Sequence, residues 1–311
     1  MTEASKQMPK FAYLGRGGPL SVAPLEALLA EGLRPSLVIV PSARQRQVGL
    51  NLAATRVEKP LPELPVAPPR LPDSLVGFAM EQSLPLLKYL RGKEADIVAA
   101  LATAQIELVI VSCFAWRIPA ELLSVPKHGW WNLHPSLLPA YRGPSPLFWQ
   151  LRAAEMQTGI TLHQMSNGFD EGDIVAQRSV VLPIAGGREI EQRLGEVGGQ
   201  LMIESLQALS EQRLDYVAQP QQGASYQRLP QPEDLLVRPV GNAKDAYTWI
   251  TAAYRGYPLS IAVGEDQYRI VAPIGVDETG RLTKPYEWNQ KCLSMQFEQG
   301  VLEVETGEKL A

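Results

Sequence analysis

An asparagine and a histidine two residues apart, in Trp131-Asn132-Leu133-His134-Pro135, are the side chains of this sequence best suited to chemistry. Residues two apart on a β-strand face the same side, so Asn132 and His134 would project together where an apolar strand ends. A carboxamide can stabilise a developing oxyanion and an imidazole can move a proton, and acyl transfer to an amine needs both. Taken alone, such a pair is more often no more than a hydrogen-bonded strand end. A second candidate is the loop Asn167-Gly168-Phe169-Asp170-Glu171-Gly172-Asp173, whose glycines allow a tight turn that presents Asp170 between them. A carboxylate beside an imidazole favours its protonated form and fixes its orientation. By itself this loop also fits a solvated turn or, through its three acids, a weak cation site.

Bringing these groups together requires a sheet, and the hydrophobic pattern supplies one. Lys10 to Leu14 reads as a short strand, followed by Gly15-Arg16-Gly17-Gly18 and a helix with Leu20, Leu25, Leu28 and Leu29 on one stripe and Gly32 as its stop. Leu37 to Val40 is a second buried strand, and strand–helix–strand is how a parallel sheet begins. Asp96 to Ala104 reads as a helix, and Leu108 to Val111 and Gly129 to Asn132 as strands. The carboxyl edge of such a sheet is where ligands bind, and that is the end at which Asn132 and His134 lie. Ser145 to Met156 reads as a helix opened by Ser-Pro, Thr158 to Met165 alternates like a strand, and Arg188 to Gln212 carries an apolar helical stripe. The glycine turn after the first strand lacks the full G-x-G-x-x-G spacing of a dinucleotide site, and a tight strand-to-helix turn would use the same glycines.

Three histidines (His128, His134, His163) and two cysteines (Cys113, Cys292) form none of the usual metal-ligand spacings, so no metal site is predicted. The cysteines are expected as free thiols. No apolar run approaches the roughly 18 residues of a membrane span, and no secretion signal precedes the first strand, so a cytoplasmic location is expected. With 311 residues, 45% of them apolar and 20% charged, the chain suits two globular domains. Residues 1–213 are expected to form an α/β domain, 214–239 a polar Gln- and Pro-rich linker, and 240–311 a small β-rich domain. In the last, a helix at Asn242 to Tyr254 and short alternating runs near Leu259–Val263, Tyr268–Ala272, Leu293–Phe297 and Val301–Val304 suggest a small barrel.

Asn132-x-His134-x-Ser136-Leu137-Leu138-Pro139, followed by Asp170-x-Gly172, resembles the active-site pattern of the folate-dependent formyltransferases. Tyr141-Arg142-Gly143, Thr158-Gly159-Ile160-Thr161-Leu162 and Gly172-Asp173-Ile174 are similar to that family as well, over about Leu108 to Leu182. The resemblance implies a Rossmann-like, mostly parallel sheet with a smaller C-terminal OB-like β-barrel, and 10-formyltetrahydrofolate as co-substrate. It implies that Asn132 holds the formyl oxygen, that His134 assists proton transfer, and that Asp170 tunes His134. It also implies a pterin pocket near the Ser112–Pro119 loop, with Cys113, Phe114 and Trp116 as walls and Ser136, Leu137 and Leu138 in the adjoining loop. Phe114 and Trp116 fit ordinary core aromatics equally well.

The acceptor is left between two classes. The layout resembles the methionyl-tRNA branch, and Arg44, Arg46, Arg56 and Lys59 stand where those enzymes carry a basic insertion, which points to initiator methionyl-tRNA. Residues 230–311 hold eight Lys/Arg against twelve Asp/Glu, and Val57 to Pro72 is laden with proline; neither suits a tRNA grip. An amino sugar nucleotide is therefore the rival acceptor. A formyl-folate hydrolase or a folate-binding module is the alternative outside amine transfer.

Overall fold

The computed structural model describes residues 8–42, 74–114, 116–155, 157–182, 185–253 and 255–310. Arg44, Arg46, Arg56, Lys59 and the Val57–Pro72 stretch lie outside the described residues. Two compact units emerge. The first comprises residues 1–142, 159–179 and 191–225, and the second residues 143–158, 180–190 and 226–311.

The first unit is built on β1 (Phe11–Gly15), β2 (Leu37–Pro41), β3 (Leu86–Tyr89), β4 (Leu108–Ser112) and β5 (Trp130–His134), with β6 (Gln157–Gln164) and β7 (Ile174–Val181) at the far edge. The strand order is β3-β2-β1-β4-β5-β6-β7. The first five pair in parallel and β6 runs antiparallel to β5. An order of 3-2-1-4-5 is Rossmann-like, as expected. Leu108, Val109, Ile110 and Val111 of β4 are all buried, as a strand covered on both faces requires. Truncating Leu108 or Ile110 to alanine would cost roughly 2–5 kcal/mol.

Helix α1 (Pro19–Ala30) follows β1, with Gly18 as N-cap at φ +86 and Pro19 in the first turn. Pro24 lies inside the helix and cannot donate to the carbonyl of Leu20 four residues back. The Ser112 hydroxyl at the end of β4 donates to that carbonyl instead. In return Ser21 Oγ donates to Ser112 O at 2.9 Å, so the first helix is tied to the sheet beside the Gly15 turn. An added Cβ at Gly15 would stand 3.1 Å from Ser112 O, so close packing accounts for this glycine without a phosphate.

Helix α2 (Leu75–Glu81) follows the proline-laden Val57–Pro72 stretch. The last of those prolines is Pro72, and Ser74 opens the helix by accepting from Gly77 N–H at 3.1 Å. Helix α3 (Glu94–Thr103) agrees with the sequence pattern within two residues, and the short α4 (Ala120–Leu123) leads into β5. Helix α5 (Pro146–Arg152) is shorter than its apolar pattern suggests, because Ala154 takes a left-handed backbone at φ +55 and ends it. Helix α6 (Gly187–Ser210) carries the expected apolar stripe, with Ile190, Leu194 and Leu201 buried.

The second unit contains a six-stranded, mostly antiparallel sheet of β8 (Leu236–Val237), β9 (Ser260–Val263), β10 (Asp266–Asp277), β11 (Tyr286–Asn289), β12 (Cys292–Gln296) and β13 (Val301–Leu310). Its order is β11-β12-β13-β10-β9-β8. Strands β10 and β13 extend well past the apolar runs that mark them, with three register shifts between them. Helix α7 (Ala243–Ala253) buries Trp249 and Ile250, and Phe148 of α5 meets Trp249 edge-on with ring centres 6.2 Å apart.

Candidate active site

Antiparallel pairing of β5 with β6 sets Asn132 opposite His163 and His134 opposite Thr161. Because strand side chains alternate, these four project from one face. Asn132 Nδ2 lies 3.1 Å from His163 Nε2 and 3.4 Å from Asp170 Oδ1. His134 Nδ1 stands 3.6 Å from Asp170 Oδ2, and His163 Nε2 3.4 Å from Asp170 Oδ1. The three residues selected by sequence thus meet in one cluster, and His163 joins them. Sequence spacing passed over His163 because it was weighed only as a metal ligand; its place on the alternating strand two residues after Thr161 was the available signal.

The hydrogen bonds fix which ring nitrogens carry protons. His134 Nε2 faces Tyr141 O at 2.9 Å, and a carbonyl can only accept, so Nε2 is protonated. His163 Nδ1 likewise donates to Gln164 O at 2.9 Å. In the neutral rings the inward nitrogens, His134 Nδ1 and His163 Nε2, therefore carry lone pairs, and His163 Nε2 accepts from the Asn132 amide. Burial is the main influence on His134, holding it below its ordinary value; the Asp170 charge opposes that and the neighbouring His163 adds to it. His134 is neutral near neutral pH, with an open lone pair facing a carboxylate ready to stabilise the ring once it gains a proton. The inward atoms of His134, His163 and Asp170 lie within 4.8 Å of one another, close enough for a cation to bridge. The Asn132 amide, however, already occupies the His163 lone pair.

Asp170 sits at φ +53, in the left-handed region. Its loop lies hard against β6, where an added Cβ at Gly172 would come 1.9 Å from the Gln164 carbonyl oxygen. No larger residue permits that approach.

Ser136, Leu137 and Leu138 form a loop bound to the edge of the sheet. Ser136 is fully buried and its hydroxyl donates to Ala140 O at 2.7 Å. Thr161 Oγ1 donates to Ser136 O at 2.6 Å and accepts from Leu138 N at 3.2 Å. Leu137 lies over Gly159, where an added Cβ would meet its side chain at 2.2 Å. The Leu138–Pro139 peptide is cis. The loop ends at Tyr141, whose carbonyl holds His134.

Cys113 follows β4 at φ +58, and burial pushes its thiol up to about 12. Phe114 and Trp116 pack at the margin of the hydrophobic core around β2, β3 and β4. Both contact Tyr89, with ring centres 5.9 and 5.7 Å apart, and meet each other at 5.4 Å. Tyr89 is an aromatic of this cluster that the sequence reading did not select, since β3 follows the proline-rich stretch. Among the described residues no helix is long and apolar enough to cross a membrane.

Comparison with known proteins agrees with this architecture. A methionyl-tRNA formyltransferase of Neisseria meningitidis serogroup C is 31% identical over 208 residues, which are 66% of this chain and 62% of that protein. The chain thus matches less than two thirds of that relative's length. The methionyl-tRNA formyltransferase of Neisseria gonorrhoeae is 30% identical over 260 residues, 79% of this chain and 78% of that one. Among solved structures, an N-formyltransferase from Helicobacter canadensis, in complex with folinic acid and dTDP-3-aminofucose, superposes with a TM-score of 0.66 at 17% identity over 97% of this chain and 100% of that one, a likeness of fold. Residues 22–206 match the formyl transferase family, and because that match spans more than half of the sequence, this chain belongs to that family.

Proposed function

We propose that the protein transfers a formyl group from 10-formyltetrahydrofolate to an acceptor amine. The observation that carries this reading is the convergence of Asn132, His134 and Asp170, with His134 Nδ1 3.6 Å from Asp170 Oδ2 and the Asn132 amide beside both. In this reading the acceptor nitrogen attacks the formyl carbon directly. The carbonyl electrons move to oxygen, where an N–H of Asn132 stabilises the anion. His134 Nδ1 accepts the proton released by the amine, and Asp170 stabilises the resulting imidazolium. Collapse of the tetrahedral centre expels the folate nitrogen, which takes that proton back from His134, and no covalent enzyme intermediate forms. The folate ring is assigned to the neighbourhood of Cys113, Phe114 and Trp116 beside the Ser136–Leu138 loop.

Initiator methionyl-tRNA is the leading acceptor, since the relatives at 30–31% identity are methionyl-tRNA formyltransferases. An amino sugar nucleotide is the second reading, favoured by the excess of acids over bases in residues 230–311. The deciding experiment follows tetrahydrofolate release from 10-formyltetrahydrofolate with initiator methionyl-tRNA, with a panel of amino sugar nucleotides, and without acceptor. Release that depends on the tRNA supports the leading reading, and release that depends on an amino sugar supports the second. Release of formate without an acceptor replaces both with hydrolysis, and no release at all leaves a binding module.

A further inference from the structure

Residues 217–225 lie in the polar run whose composition suggests a linker, yet they are bonded along the catalytic loops. Val217 and Ile174 exchange both backbone hydrogen bonds, at 2.8 and 2.9 Å. Ser225 Oγ accepts from Tyr141 N–H at 2.8 Å, Ser225 O accepts from Arg142 N–H at 2.9 Å, and Ser225 N–H donates to Pro139 O at 3.1 Å. Between these anchors stands Gln219. Its Oε1 accepts from Arg142 Nε at 3.0 Å and Nη2 at 2.7 Å. Its Nε2 donates to Asp170 O at 2.8 Å and Gly172 O at 2.7 Å. A guanidinium can only donate and a carbonyl can only accept, so the orientation of this amide is fixed by its partners.

We propose that Gln219 is a positioning residue for Asp170, holding the aspartate backbone in the left-handed conformation that aims its carboxylate at His134. The proposal deepens the reading given above and rests on it for its link to turnover. One segment sets both members of the pair. Gln219 fixes the Asp170 peptide, and Ser225 fixes the Tyr141 peptide whose carbonyl holds His134 Nε2. Arg142, mostly buried, is the rigid far end of the clamp, with Glu171 Oε1 3.9 Å from its Nη1. Without the two contacts, the carbonyls on either side of Glu171 lose these donors, and the carboxylate shifts relative to His134. The charged and titratable groups around His134 are Asp170 and His163, with Arg142 and Glu171 behind the Asp170 loop. Of these, Asp170 is the one whose approach raises the affinity of the ring for a proton.

The test is the His134 titration followed by imidazole proton–carbon NMR in wild type, Gln219→Ala, Gln219→Glu and Asp170→Asn, with Gln222→Ala as a control and thermal melting to confirm folding. Gln219→Ala is expected to lower the His134 midpoint in the same direction as Asp170→Asn. Gln219→Glu keeps the acceptor for Arg142 but has no N–H for the carbonyls, so it is expected to behave as Gln219→Ala. In turnover, Gln219→Ala is expected to reduce kcat at least about tenfold, the scale of a small misplacement of a catalytic group, with little change in KM for the folate donor. Combined with Asp170→Asn it should add little further loss. A folded Gln219→Ala protein with an unmoved His134 titration would overturn the proposal, as would an equal loss of rate in the Asp170→Asn background. Because the titration needs no substrate, a protein that fails to use 10-formyltetrahydrofolate would sink the functional reading and leave the positioning claim separately decided.

Discussion

His134 Nδ1 and Asp170 Oδ2 face each other at 3.6 Å although 36 positions of sequence separate the residues, and the imidazole is held from behind by the Tyr141 carbonyl. The ring cannot turn without losing that rear bond, so a proton taken up at Nδ1 is delivered against the carboxylate.

Replacing Asn132, His134 or Asp170 by alanine is expected to lower turnover by at least about a hundredfold each, on the scale of losing an oxyanion donor or a proton-transfer group. Single-turnover formyl transfer with saturating folate donor measures it. Near-normal rates in all three variants would remove them from the chemistry.

The pH dependence has a definite sign. Burial depresses the His134 pKa from 6.5, and a neutral ring is required to accept a proton, so kcat is expected to persist above the folded midpoint and fall below it, on the acid side of 6.5. Asp170 raises that midpoint, so Asp170→Asn should shift the acid limb of the residual rate further down. An acid limb above 6.5, or one that rises in Asp170→Asn, contradicts the assignment. The same depression means that the unfolded chain gains a proton at a pH where the native site does not, so native stability should decline as pH falls below 6.5.

Much of this was legible before any coordinates. Strand β4 stands out because a doubly covered parallel strand is a run of apolar residues, and the Asn132–His134 pair because two polar side chains share one face at the end of an otherwise apolar β5. Asp170 is visible because glycines bracket it. The contacts of His163, Gln219 and Tyr141 are not, because each meets a partner fixed by tertiary pairing: His163 through the register of β5 on β6, Gln219 through backbone carbonyls that carry no sequence signature, and Tyr141 through its own carbonyl. Helix α2 was hidden behind prolines that end just before its cap.

Gly172→Ala is expected to impair both stability and activity, because the new Cβ meets a backbone oxygen that cannot move aside. Overpacking of this kind costs roughly 1–3 kcal/mol. Gly159→Ala should be milder, since the first atoms it meets belong to the Leu137 side chain, with Arg178 O next at 2.7 Å. Thermal melting and kcat on both variants check the order, and a silent Gly172→Ala would refute the close approach.

The two cysteines should differ sharply toward alkylating reagents. Cys292 is exposed, whereas Cys113 is held as a thiol by burial, with a pKa of about 12. At pH 8 its thiol is therefore expected to stay protonated. Iodoacetamide followed by peptide mass mapping should modify Cys292 first and Cys113 only on denaturation. Rapid labelling of Cys113 in the folded protein would contradict its raised pKa.

The clamp formed by residues 217–225 has a consequence for the order in which the enzyme comes into being. Ribosomal synthesis runs from the amino end, so Asn132, His134 and Asp170 leave the ribosome well before Gln219 and Ser225. A nascent chain stopped at the end of α6 already possesses the whole reactive trio but not the groups that set its spacing. On the proposed role of Gln219, the site is finished by a segment that chemistry alone would assign no part in, and its spacing is expected to be set during translation only as the stretch beyond α6 docks.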